Sequence, residues 1–278
     1  MKTDYCHEDF FDDLKNLAME SWIYKMDEFY SLREDYSLVQ RRREGNMRAK
    51  NMLKTAEKIA GFLSTFPFVK GVAVSGSLSK NFADENSDID FFIITERNKL
   101  WLARTFMHCF KKIAILFKKE DLFCMNYYID EEMLQIKEKN IYTAIEIATL
   151  LPLRGIEIFK EFFKQNDWSK SYLPNHSLRV SYVEETRNPF FKKTVEFIFR
   201  NSFGNLVDLL LMNISVLLWK KKTRMGKLNK RGIVLSMDAS KHYAKPNPMA
   251  FQKKFMTLYE KKIFNLFYRY ESRAKTVF

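Results

Sequence analysis

The chain is poor in the residues that would mark a stapled, fibrous or metal-clustered protein. Its 278 residues include three cysteines, four histidines, eight glycines and six prolines. Cys6, Cys109 and Cys124 form neither a paired framework nor a metal-ligand spacing, which excludes a disulfide scaffold or zinc ribbon and suits a reducing cytosol. His7, His108, His176 and His242 show no ligand spacing and no paired nucleophile, so core or surface roles are expected for them. There is no internal repeat and no low-complexity tract. The start, MKTDYCHEDF, lacks the apolar stretch of a signal peptide, and a cytoplasmic location is expected. One run is membrane-like, Phe203 to Trp219, but Asp208 and Asn213 sit near its middle. A charge at bilayer depth is costly, so the run reads as a buried helix of a protein with no membrane partner.

What is present is an ordinary globular composition, 46% apolar and 29% charged, long enough for one large domain or two modest ones. The 26 phenylalanines and 13 tyrosines read as core filling. The net charge of +13 is uneven: residues 1–36 hold ten acids against four bases, a net of −6, leaving +19 on the rest. The acidic leader either lies on the basic surface of the body or is a solvated helical face. The basic body suits an anionic partner such as a nucleotide or RNA, or is simply a basic surface.

Along the chain, the first sixty residues read as helical, with a basic patch at Gln40 to Lys50 and a stop before Pro67. VKGVAV, residues 69–74, is a short buried strand, and Gly76-Ser77 opens a turn or short helix over LSKNFA. DIDFFIIT is a second strand, KLWLARTFMHCFKKIAILFKK an amphipathic helix, and LFCMNYYI a third strand. From Ile141 onward every strong pattern is helical. The expected fold is α+β: a small mixed sheet flanked by helices, then an all-helical C-terminal domain. The divisions expected are 1–66 for an N-terminal helical segment, 67–138 for the sheet-bearing core and 139–278 for the helical domain. The segment KKKTRMGKLNKR, with seven bases in twelve residues, reads as a basic loop that either follows a polyanion or is solvated.

The informative stretch is GVAVSGSLSKNFADENSDIDFFIIT, Gly71 to Thr95. On a strand Asp88 and Asp90 point to one side and Ile89 and Phe91 to the other. Two like carboxylates side by side repel unless a cation lies between them, and Mg²⁺ is held in this way by one or two carboxylates plus substrate phosphates. Gly76-Ser77 offers a turn with no Cβ obstacle and backbone N–H groups suited to an anion.

Gly76-Ser77, ten residues, then Asp88-Ile89-Asp90 resembles the signature of the DNA polymerase β superfamily of nucleotidyltransferases, over about Val69 to Thr95. The resemblance implies that Asp88 and Asp90 ligate two Mg²⁺ (or Mn²⁺) ions and act in catalysis, and that Gly76 and Ser77 bind the phosphates of a nucleoside triphosphate. Lys80 either neutralises phosphate charge or is a surface lysine. Arg104 either reaches the triphosphate or is an ordinary helix-face arginine. The family's third carboxylate belongs on LFCMNYYI, where the polar residue is Asn126; it offers a carbonyl oxygen but no charge and no general base. Asp121 and Asp130 flank that strand as substitutes. The activity implied is transfer of a nucleoside monophosphate to an acceptor hydroxyl with release of pyrophosphate. The basic balance tilts the acceptor towards an RNA or tRNA end over a protein or small molecule. The alternative is a catalytically inactive nucleotide- or RNA-binding module with a degenerate nucleotidyltransferase fold.

Overall fold

The structure, a computed structural model, describes residues 7–116, 124–176, 183–228, 234, 236–246 and 249–276. Its first elements are α1 (His7–Met19), the hairpin β1 (Tyr24–Met26) and β2 (Phe29–Ser31), and the long α2 (Tyr36–Leu63). Then come β3 (Val69–Val74), β4 (Asp90–Thr95), α3 (Leu100–Leu116), β5 (Cys124–Asp130), α4 (Ile141–Thr149), β6 (Leu151–Arg154) and α5 (Ile156–Gln165). The remainder is α6 (Phe190–Phe199), α7 (Ser202–Arg224), β7 (Met237–Ala239), β8 (Tyr243–Pro246) and α8 (Met249–Thr276). Six strands form one mixed sheet in the order β6-β3-β4-β5-β8-β7. β3 runs antiparallel to β4 and β6, β4 parallel to β5, and β8 antiparallel to β5 and β7.

Alternation along β4 divides the core between the two faces of this sheet. Ile89, Phe91 and Ile93 pack with α2 and α3, joined by Trp101 and Tyr128. Phe92 and Ile94 point the other way, among Ile147 of α4 and Phe159, Phe162 and Phe163 of α5. α2 lies close on the first face because its inner positions are small: Gly45, Ala49, Ala56 and Ala60 are buried. A Cβ on Gly45 would fall 2.3 Å from the Phe82 ring. Its start is capped by Asp35, whose carboxylate accepts from Ser37 N at 3.0 Å.

Two sequence expectations are corrected here. The first sixty residues are not all helical, since β1 and β2 pair through a two-residue turn, Asp27-Glu28, with Asp27 at φ +53°. Nor is the chain beyond residue 138 all helical. β6, β7 and β8 lie there, and a division at 138 cuts through the sheet. β6 contains Pro152, which tolerates a strand only where one edge is free, and β6 is an edge strand.

The C-terminal helices are tied to the sheet by buried polar groups. Lys192 of α6 donates from a buried ammonium to Ser64 O and Val69 O, both at 2.9 Å, and Glu196 accepts from Phe68 N at 2.8 Å. Lys99 donates to Asn201 O at 3.5 Å and to Asn205 Oδ1. Asp208, 1% exposed, accepts from Leu102 N at 2.8 Å and so caps the first turn of α3 from outside the helix. That bond accounts for a carboxylate in the middle of an apolar run. The run is nevertheless not a buried helix. α7 is long and apolar enough to cross a membrane by length and composition, only 11% of that span is buried, and a single face of it packs on the core.

Burial pushes the Asp208 carboxyl up to about 7, against the pull of the Leu102 and Trp101 amides and of Lys99. An acid whose folded value is raised favours the folded state most below its unfolded value, near 3.8, and loses that contribution as pH rises to about 7. Urea titrations between pH 4 and about 8 are therefore expected to show wild-type stability falling relative to Asp208→Asn, with the difference levelling off only once pH has passed through the folded value of about 7. A pH-independent difference would contradict this.

Candidate active site

The site is built where β3 ends and β4 begins. The antiparallel register sets Val74 opposite Phe91, and Ser75 N donates to Asp90 O at 2.9 Å, so the turn after β3 lies beside the first residue of β4. Gly76 has φ +69°, a left-handed conformation that side chains disfavour. A Cβ placed on it would lie 2.7 Å from Asp90 Oδ2. The carboxylate of Asp90 thus rests in the space that only glycine leaves.

Asp88 lies just ahead of β4 rather than within it. The alternation still holds: Asp88 and Asp90 are both partly exposed, and Ile89 between them is buried at 2%. Ser77 is exposed and begins the short 3-10 turn Leu78–Lys80; its carbonyl accepts from Lys80 N at 3.0 Å and Phe82 N at 3.1 Å.

The turn is held from two sides. Ser79 Oγ and Lys80 Nζ each donate to Gly76 O at 2.9 Å. From α2, Arg42 donates to Lys80 O at 3.1 Å. From α4, Glu146 Oε1 accepts from Lys80 Nζ at 2.9 Å. Lys80 therefore serves the turn itself, with its ammonium placed beside the Gly76-Ser77 backbone.

The sequence reading missed Glu146 and Tyr142. Burial, then the charges of Glu146 and Asp90, push the Tyr142 phenol up to about 12. Its ring also meets Phe255 of α8, at 5.1 Å between centroids. The available signal was one acid in the otherwise apolar helix IYTAIEIAT.

Other named residues fall elsewhere. Arg104 is 9% exposed and stacks over Trp101 at 5.4 Å and Tyr128 at 5.9 Å. Those rings belong to the α2 and α3 face, opposite the face of Phe92 that Asp90 shares, so Arg104 is not part of the turn cluster. Asp130 is buried at the far end of β5 and accepts from Asn98 N at 3.1 Å and pairs with His242 Nδ1 at 2.9 Å; it cannot serve as a third carboxylate. Asp121 lies outside the described residues. Cys124 is the direct partner of Asp90 on β5. The register then slips between Phe91 and Phe92, and Asn126 falls at that irregularity. The Asn126 side chain lies outside what the structure describes.

Among the described residues no group of three or more His, Cys, Asp or Glu side chains is placed to hold a metal ion. Two carboxylates beside a turn that offers a hydroxyl and amides fit a hard divalent cation whose other ligands come from a phosphorylated substrate.

A family model described as a nucleotidyltransferase domain matches residues 53–205, more than half of the chain. The match takes in the turn, both aspartates, Asn126, Tyr142 and Glu146. No curated protein and no solved structure matches.

Gly76→Ala is expected to lower stability by about 1–2 kcal/mol, from left-handed strain plus displacement of Asp90. Ser77→Ala, at an exposed side chain making no cap bond, should stay within about 0.5 kcal/mol. Chemical denaturation of both variants checks the contrast; equal effects would show that the glycine is not required.

Proposed function

Because the chain belongs to the nucleotidyltransferase domain family, we propose that it is a metal-dependent enzyme moving a nucleoside monophosphate from a nucleoside triphosphate to an acceptor hydroxyl. Pyrophosphate leaves. The observation that carries this reading is the lodging of the Asp90 carboxylate against the Cβ-free Gly76, next to the exposed Ser77.

In this reading the Ser77 hydroxyl and the turn amides take the outer phosphates. Lys80, already beside that turn, neutralises part of their charge, and Glu146 holds its ammonium in place. Asp88 and Asp90 would hold Mg²⁺ or Mn²⁺ together with phosphate oxygens. When bound, the metal lowers the cost of the negative charge that develops on the entering and leaving oxygens. The protein's share is positioning and fixed electrostatics, which fits a transfer that needs little covalent participation from side chains. The basic balance, +13 overall, favours an RNA end such as tRNA as acceptor.

The composition of β5 favours a second reading. The family resemblance puts a third acid on this strand, where the polar residue is Asn126, which offers a carbonyl oxygen but no charge and no general base. In that reading the chain is a nucleotide- or RNA-binding module.

The test is incubation of the full chain with each α-labelled triphosphate, Mg²⁺ or Mn²⁺, and separate pools of RNA, protein and metabolites. Transfer is expected in one pool, dependent on the cation, and reduced about 10²- to 10³-fold or more in Asp88→Asn and Asp90→Asn. Nucleotide affinity with no transfer at any metal concentration would support the module instead. Absence of both affinity and transfer would overturn both readings.

A further inference from the structure

α7 has two apolar faces and buries only one. Val207, Leu211, Met212 and Val216 pack towards α3 and the sheet, with Gly204 and Asp208 buried beside them. On the other side Phe203, Leu206, Leu210, Ile214, Leu217 and Leu218 stand 53–66% exposed. Their spacing of mostly three or four residues makes one stripe, about 23 Å long at 1.5 Å per residue. The stripe ends in a basic turn, with Lys220 followed by Lys221, Lys222 and Arg224.

The complement lies at the other end of the chain. α1 has Phe10, Leu14 and Leu17 along one side and Glu8, Asp9, Asp12 and Asp13 around the other. None of its described side chains is buried; Phe10 is 52%, Leu17 41% and Met19 68% exposed. At 13 residues it is about 20 Å long, close to the length of the α7 stripe. Its acids gather in its first half, as the bases of α7 gather in the last turn. In the single chain both apolar faces stay exposed.

We propose that α1 of a second copy of this chain docks antiparallel along the exposed stripe of α7. Antiparallel packing sets Glu8, Asp12 and Asp13 beside Lys220 to Arg224, and Leu17 and Met19 beside Phe203 and Leu206. If each copy lends its α1 and receives the other's, the two seams are related by a two-fold axis and the assembly closes as a dimer. α8 is a poorer occupant although it too exposes apolar residues. Its polar positions include Lys253, Lys254, Lys261 and Lys262, which would face the basic end of α7 with like charge. A bilayer would not draw on the match in length and charge order. The inference is independent of the nucleotide reading.

Sedimentation equilibrium of the full chain tests it, with circular dichroism confirming the fold of each variant. A dimer is expected at micromolar concentration, weakened by added salt. Asp12→Lys/Asp13→Lys and Lys221→Glu/Lys222→Glu should each weaken it by about tenfold or more. Mixing the two variants should restore association as a heterodimer, because the reversed charges again oppose. A chain that is monomeric throughout overturns the proposal, as does a dimer indifferent to both reversals. So does a monomer that instead co-sediments with phosphatidylserine vesicles through the α7 lysines.

Discussion

The fit of one carboxylate against one missing side chain orders the candidate site. Gly76 takes a left-handed conformation, and Asp90 Oδ2 lies 2.7 Å from where its Cβ would be. The neighbouring contacts hold the turn in which that approach occurs. The β3–β4 register delivers the two residues side by side. Ser79 and Lys80 hold the Gly76 carbonyl, while Arg42 from α2 and Glu146 from α4 hold Lys80. The result is a turn whose backbone is fixed before any ligand arrives, so a phosphate bound there would cost little ordering entropy.

The parts of this that were legible in the sequence were local. Gly76-Ser77, the spacer and Asp88-Ile89-Asp90 could be read because strand alternation and glycine's tolerance of positive φ act over a few residues. β3, β4, α3 and β5 followed from the same short-range patterns. β6 was missed because LPLR is short and contains a proline, acceptable only at a sheet edge, and edge position is a property of the whole sheet. β7 and β8 are also short, and they are strands because β5 offers a free edge, not because their residues insist on it. Glu146 was hidden for a related reason. Its pairing with Lys80 spans 66 positions in sequence, which no periodicity reveals.

Arg104 and Asp208 show how a polar residue in an apolar helix can mislead. Arg104 lies on the helix after the aspartates but turns to the far side of the sheet, where its guanidinium covers Trp101 and Tyr128. The Asp208 carboxylate serves the start of α3. It did not make α7 a buried helix. A helix can satisfy its one acid on an inner face and still leave a row of leucines uncovered. The uneven charge, −6 over residues 1–36 against +19 elsewhere, gives the basic end of that uncovered row a counterpart of opposite sign within the same sequence.

The central claim is that Asp88 and Asp90 share a divalent cation with a triphosphate seated on the Gly76-Ser77 turn. Crystals grown with Mn²⁺ and a non-hydrolysable nucleoside triphosphate test it most directly, through the anomalous signal of manganese. The account predicts manganese within coordination distance of both carboxylates and phosphate oxygens against Ser77. Nucleotide bound elsewhere, or manganese touching neither aspartate, would contradict it.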